Sequence, residues 1–186
     1  MKWSQAKREL QSLEQGEIFK LLKTLFSLNA ENKTVFENTL GAHGGVSLEH
    51  FKAEIAAAVN PSWKQPIDLK RGRRAISQFK KAAPDDRLSR LDLMMYFVEQ
   101  AAAQTLEYGT INERFYDSMY NMLNSIVELS ESIHPAKYET ITARLQVLDS
   151  KTSGNIGWGI CDHISDCLSE LLERSGKIGL SQECAG

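Results

Sequence analysis

Six cations fall within one predicted helix: Lys70, Arg71, Arg73, Arg74, Lys80 and Lys81, with no acid between them. Such a surface suits an anionic partner. A phosphate chain shares its charge among several cations and releases counterions; an acidic protein segment would serve as well. The same cations could instead neutralise acids within the fold, Glu99 or Glu107 among them. Arg73 and Arg74 project about 100° apart on a helix, so the group is a broad collar and not a narrow stripe.

A second grouping is acidic and aromatic: Glu99, Glu107, Tyr108, Glu113, Tyr116 and Trp158. Glu99 lies on a mostly apolar helix. Burial would raise its pKa and suit it to acid–base work, or it could hold an arginine from the basic helix. Trp158 reads as a plug at a helix entrance. A third grouping runs from Lys151 to Asp166. Gly154, Gly157 and Gly159 precede a helix, where backbone amides can face an anion. They follow a helix and lack the phosphate-loop lysine, so they form neither a dinucleotide fingerprint nor a P-loop. Asp162, His163 and Asp166 could offer a divalent metal oxygen and nitrogen ligands, but one helix face does not complete a site. Cys161 and His163 are two apart and point to different sides of a helix, which disfavours a cysteine nucleophile. His43, His50 and His134 are isolated in the sequence. The residues imply no cofactor.

These side chains need elements to hold them. From Leu88 to Ile133 the apolar residues recur at steps of three and four on either side of Gly109, the spacing of two long helices folded back on each other. Met94 to Val98 is an unbroken apolar run, and three alanines follow. That helix must be covered from several directions. Around this pair the pattern predicts helices near 4–14, 18–28, 31–40, 48–59, 68–83, 135–150 and 160–174. No strand pattern appears. The expectation is an all-α single domain of about nine helices, helical hairpins packed around a long central antiparallel pair. The domain is placed at residues 1–175, with a possible internal boundary at 60–67, where Pro61, Trp63 and Pro66 interrupt the pattern. Residues 176–186 have little to bury and are expected to form a mobile tail.

The runs Phe97-Val98-Glu99-Gln100, Glu107-Tyr108-Gly109 and Phe115-Tyr116-Asp117-Ser118-Met119 resemble the central part of a bacterial family known as a domain of unknown function. Gly154-Asn155-Ile156-Gly157-Trp158-Gly159, followed by Asp162-His163, resembles its C-terminal signature. The resemblance extends over most of the chain. It implies an all-helical cytoplasmic protein and carries over no activity, cofactor or catalytic residue.

The chain has 186 residues, 42% hydrophobic and 25% charged, with a formal net charge of −2. A global field towards nucleic acid or membrane is therefore excluded, and any such affinity must be local. There is no membrane-length apolar run and no apolar signal region near the N-terminus. The three cysteines form no paired motif, and they are expected to be free thiols in the cytoplasm. The functional expectation is a non-enzymatic helical interaction or scaffold module that binds a protein or nucleic-acid partner through the basic helix. The alternative is a small metal-dependent or acid–base hydrolase built on Glu99, Glu107, Asp162, His163 and Asp166. Oligomeric state is left open.

Overall fold

The structure is a computed structural model. It describes residues 1–29, 32, 33, 35, 36, 40, 47–62 and 65–183, the side chains of 177–183 excepted. The chain divides into two compact units, Met1–Ser47 and Leu48–Gly186; residues 60–67 fall within the second. Among the described residues there are eight α-helices, one 3-10 turn and no strand.

The first unit contains α1 (Trp3–Ser12) and α2 (Gln15–Leu28). Glu14 and Glu17 form a reciprocal capping box at the start of α2, which satisfies two orphan amides there. Asn29 ends α2, and its Oδ1 accepts from the Asn32 amide at 2.8 Å. In α2 the spacing of Ile18, Leu21, Leu22, Leu25 and Leu28 predicts a buried stripe that Phe19 and Phe26 widen, and the two rings do not do so. Both are exposed, and only Ile18 and Leu22 of that stripe are half-buried. Of the helix expected from about Glu31 to Leu40, residues 32, 33, 35, 36 and 40 are described and all are helical; the glycines after it with His43, and Trp63, lie outside the described residues.

The second unit holds α3 (Leu48–Val59), α4 (Leu69–Ala82), α5 (Arg87–Tyr108), α6 (Glu113–Ser130), a 3-10 turn at Pro135–Lys137, α7 (Glu139–Thr152) and α8 (Ile160–Glu183). Consecutive helices pair as α3–α4, α5–α6 and α7–α8. The pairs stack: α5 packs against both α3 and α7, and α6 packs against α8. Helix α5 also touches α4. Four neighbours therefore cover it, and Leu91, Leu93, Met95, Phe97, Val98, Ala101 and Ala102 are buried around its circumference. That is the burial its uninterrupted apolar run requires.

Local sequence explains the helix ends. Asp68, Asp86 and Asn112 each cap a helix by accepting from the amide three residues on, at 2.9, 3.0 and 3.1 Å. Gly109 turns the chain between α5 and α6 with φ +84°, a value that L side chains rarely adopt. Thr105 fastens this turn: its hydroxyl donates to the Gly109 carbonyl at 3.1 Å and lies 2.7 Å from the Tyr116 hydroxyl. Two expectations shift in position. Pro135 opens a 3-10 turn, and α7 proper begins at Glu139. Helix α8 continues past Arg174 to Glu183, while 184–186 lie outside the described residues.

Candidate functional site

Helix α4 carries the basic residues on its exposed sides. Its buried stripe, Gly72, Ala75, Ile76 and Phe79, seats it on the core. Ring–ring contact fixes Phe79 edge-on to Phe51 at 5.5 Å. Gly72 brings the helix close: a Cβ there would lie 2.7 Å from Val59 Cγ2 and 3.0 Å from Phe97 Cε2. The collar then divides. Arg71 turns towards α3 and binds Glu54 at 2.7 Å. Arg73 turns towards α6 and donates to the buried Ser118 hydroxyl at 3.1 Å. Arg74, Lys70 and Lys81 remain exposed on other sides of the helix.

Between α4 and α6 the stack is open. The two helices both pack on α5 but not closely on each other, unlike α6 and α8. The stripes that face across the gap account for this. Helix α4 presents Arg73, Ser77 and Lys80, and helix α6 presents Met122, Ser125, Glu128 and Leu129. Ionised side chains cannot be packed dry against apolar ones without losing hydration. The result is an open trough of about 500 Å³. Ile76, Met94, Met122 and Leu129 give it an apolar floor. Arg73, Lys80 and Arg90 stand around it, with Ser132 at one end. None of the three cations forms an ion pair among the described residues. Glu128 is the one carboxylate in the described lining.

The acidic and aromatic grouping separates into four places. Glu99 holds an arginine, but from α7 and not from the basic helix. Arg144 forks onto Glu99 at 2.8 and 2.6 Å and also binds Asp92. Lys52 closes the cluster on Asp92 at 2.7 Å. Hydrogen bonding to Glu99 raises the Arg144 pKa against the pull of burial, and Asp92 adds to the rise. Burial pushes the Asp92 carboxyl up, yet bonds from Lys52 and Arg144 outweigh it and hold the group below its ordinary value. A carboxylate so held is a poor general base. Glu107 lies two turns further along α5, about 12 Å by helical rise, and binds Tyr108, raising the phenol pKa. Glu113 is exposed in the first turn of α6.

Tyr116 and Trp158 do meet. Their rings stack with centroids 6.0 Å apart. Trp158 is not the buried plug that its place before the helix predicts: it is 57% exposed and has φ +61°. The chain must reverse between α7 and α8, and Trp158 and Gly159 both take left-handed geometry to do it. His163 stacks on Tyr120 at 3.6 Å, and its Nε2 lies 3.7 Å from Cys167 Sγ. Burial lowers the His163 pKa, and Asp166 opposes the shift. Burial pushes the Cys167 thiol up to about 11, so it is not a thiolate near neutrality. Cys161 points at the carbonyls of Thr152 and Ile156, at 2.8 and 2.9 Å. No three His, Cys, Asp or Glu side chains converge on a metal-sized point among the described residues.

Sequence reasoning missed the rest of the trough's lining, Arg90 and Glu128 included, and missed Arg144. The α4 wall carries a readable signal, because Arg73, Ser77 and Lys80 follow helical spacing. Arg144 has no such signal: its two carboxylate partners lie about 50 residues away, and only packing brings them near. Comparison with protein-family models, curated proteins and solved structures finds no match.

Proposed function

We propose that the protein is a helical interaction module that takes an anionic partner in the trough beside the basic helix. One observation carries this reading. Arg73, Lys80 and Arg90 surround an apolar floor and have no carboxylate partner among the described residues. Arg71, Arg144 and Arg174 of the same unit, by contrast, meet carboxylates: Glu54, Glu99 with Asp92, and Glu131 with Glu170. Unmatched like charges around one hollow repel one another, and an incoming anion would relieve that repulsion. The apolar floor adds burial that does not depend on salt.

Binding of fluorescein-labelled polyglutamate and retention on heparin, each at rising salt, test the reading. Both should weaken as salt screens the contacts. The double variant Arg73→Glu, Lys80→Glu should lose both and melt near the wild-type temperature. Arg114→Glu, Lys137→Glu makes the same change in charge away from the trough and should keep both. Equal losses in the two variants would mean that only net charge matters and would overturn the reading.

A further inference from the structure

The trough is longer than one anionic group. Arg73 and Lys80 stand two turns apart on α4, about 10 Å along its axis at 1.5 Å per residue. On α6, Met122 and Leu129 of the floor repeat that separation. At that spacing each cation can take its own anionic group, and a ligand with acids two helical turns apart matches both. The walls are helices lying on a third helix, and the stack is open where α4 and α6 would otherwise pack.

We infer that the occupant is an acidic amphipathic helix of a partner protein, laid between α4 and α6 on α5. This rests on the trough being the binding site. The helix would place apolar side chains on Ile76, Met94 and Met122, where flexible methionines adapt to an incoming surface. Its acids, at i and i+7, would meet Arg73 and Lys80. A basic residue on its other edge would meet Glu128 and set its direction, since a reversed helix would bring like charges together. Nucleic acid fits less well. Glu128 would repel a phosphate chain, and the described lining has no aromatic ring for a base to stack on.

The test uses the full chain and three labelled probes. The first is a stapled helix of about 14 residues with glutamates two turns apart flanking a leucine stripe. The second has the same composition with the leucines dispersed around the helix. The third is single-stranded DNA of matched charge. The first should bind saturably, with the other two at least about tenfold weaker, one tenfold step being 1.4 kcal/mol. Ser77→Trp changes no charge and no buried residue but fills the trough, and it should abolish binding of the stapled helix. Arg73→Glu, Lys80→Glu should weaken it by about tenfold or more. If the dispersed helix or the DNA binds equally well and Arg73→Glu, Lys80→Glu still removes it, the helix inference fails while the anion-binding site stands. If no probe binds, or neither variant matters, both readings fail. Sedimentation of the unliganded protein closes the test: a dimer dispersed by Ser77→Trp would put a second copy in the trough and overturn the partner helix.

Discussion

Gly72→Ala is the sharpest probe of how the basic helix is seated, because two effects of opposite sign compete. Alanine favours an exposed helix interior over glycine by about 1 kcal/mol. Here the added Cβ would come within 2.7 Å of Val59 Cγ2 and 3.0 Å of Phe97 Cε2. Neither neighbour yields easily. Val59 is β-branched and Phe97 is a ring, and both are completely buried. Overpacking of this kind costs about 1–3 kcal/mol, so the net change should be a destabilisation of up to about 2 kcal/mol, or up to about 8 °C in Tm for a domain of this size. Urea and thermal melts of Gly72→Ala, Val59→Ala and the double variant would measure it. Removing two Val59 methyl carbons makes room for the new one, so the double variant should be more stable than additivity predicts by at least about 0.5 kcal/mol. A stabilised Gly72→Ala protein would refute the close approach of α4 to α3 and α5 on which the trough's shape depends, and strict additivity would refute its contact with α3.

Arg144→Ala leaves Glu99 and Asp92 facing each other's charge without the guanidinium. Their side chains are 28% and 21% exposed, so the cost in urea melts should be about 1–3 kcal/mol, less than for a fully buried pair. Arg144→Lys should recover little of it, because an ammonium cannot fork onto Glu99; full recovery would show that charge alone matters. The Asp92 pKa is lower in the fold than in the unfolded chain. Its contribution is therefore complete above about pH 4, the ordinary carboxyl range, and is lost as pH falls through the depressed native value. The gap in Tm between wild type and Asp92→Asn should stay constant from pH 8 to 5 and narrow below about pH 4; a gap that widens on acidification would sink the assignment. His163 is also lowered. Its neutral form is the one the fold prefers, so His163→Gln should remove a loss of stability that the wild type shows as pH falls below about 6.5. Trp158→Gly relieves left-handed strain of about 1–3 kcal/mol and gives up a ring stack worth about 0.5–1.5 kcal/mol. Calorimetry should show little change or a small gain in stability; a large loss would mean that the indole is an anchor and not a strained, exposed ring.

Helix type and helix ends are legible wherever the cause is local. The steps of three and four in α5 and α6 and the turn at Gly109 depend on residues within a few positions of one another. The burial of α5 on every side is legible as well, because an unbroken apolar run leaves no face for water. The same local signal misled at Phe19, Phe26 and Trp158. Apolar character shows that a side chain gains from cover; it does not show that cover exists.

What tertiary structure alone decided is which side chains meet. The six cations on α4 are plain in the sequence, but whether each is neutralised depends on Glu54 for Arg71 and on the spacing of α4 and α6 for Arg73 and Lys80. Glu99 needed a cation, and the chain offered many; packing of α7 on α5 selected Arg144. Burial patterns constrain each helix to a stripe, but the rotation and separation of neighbouring helices follow from the summed fit of many side chains. The trough arises at that level, where two helices share one support and the charged stripe of one cannot close on the apolar stripe of the other.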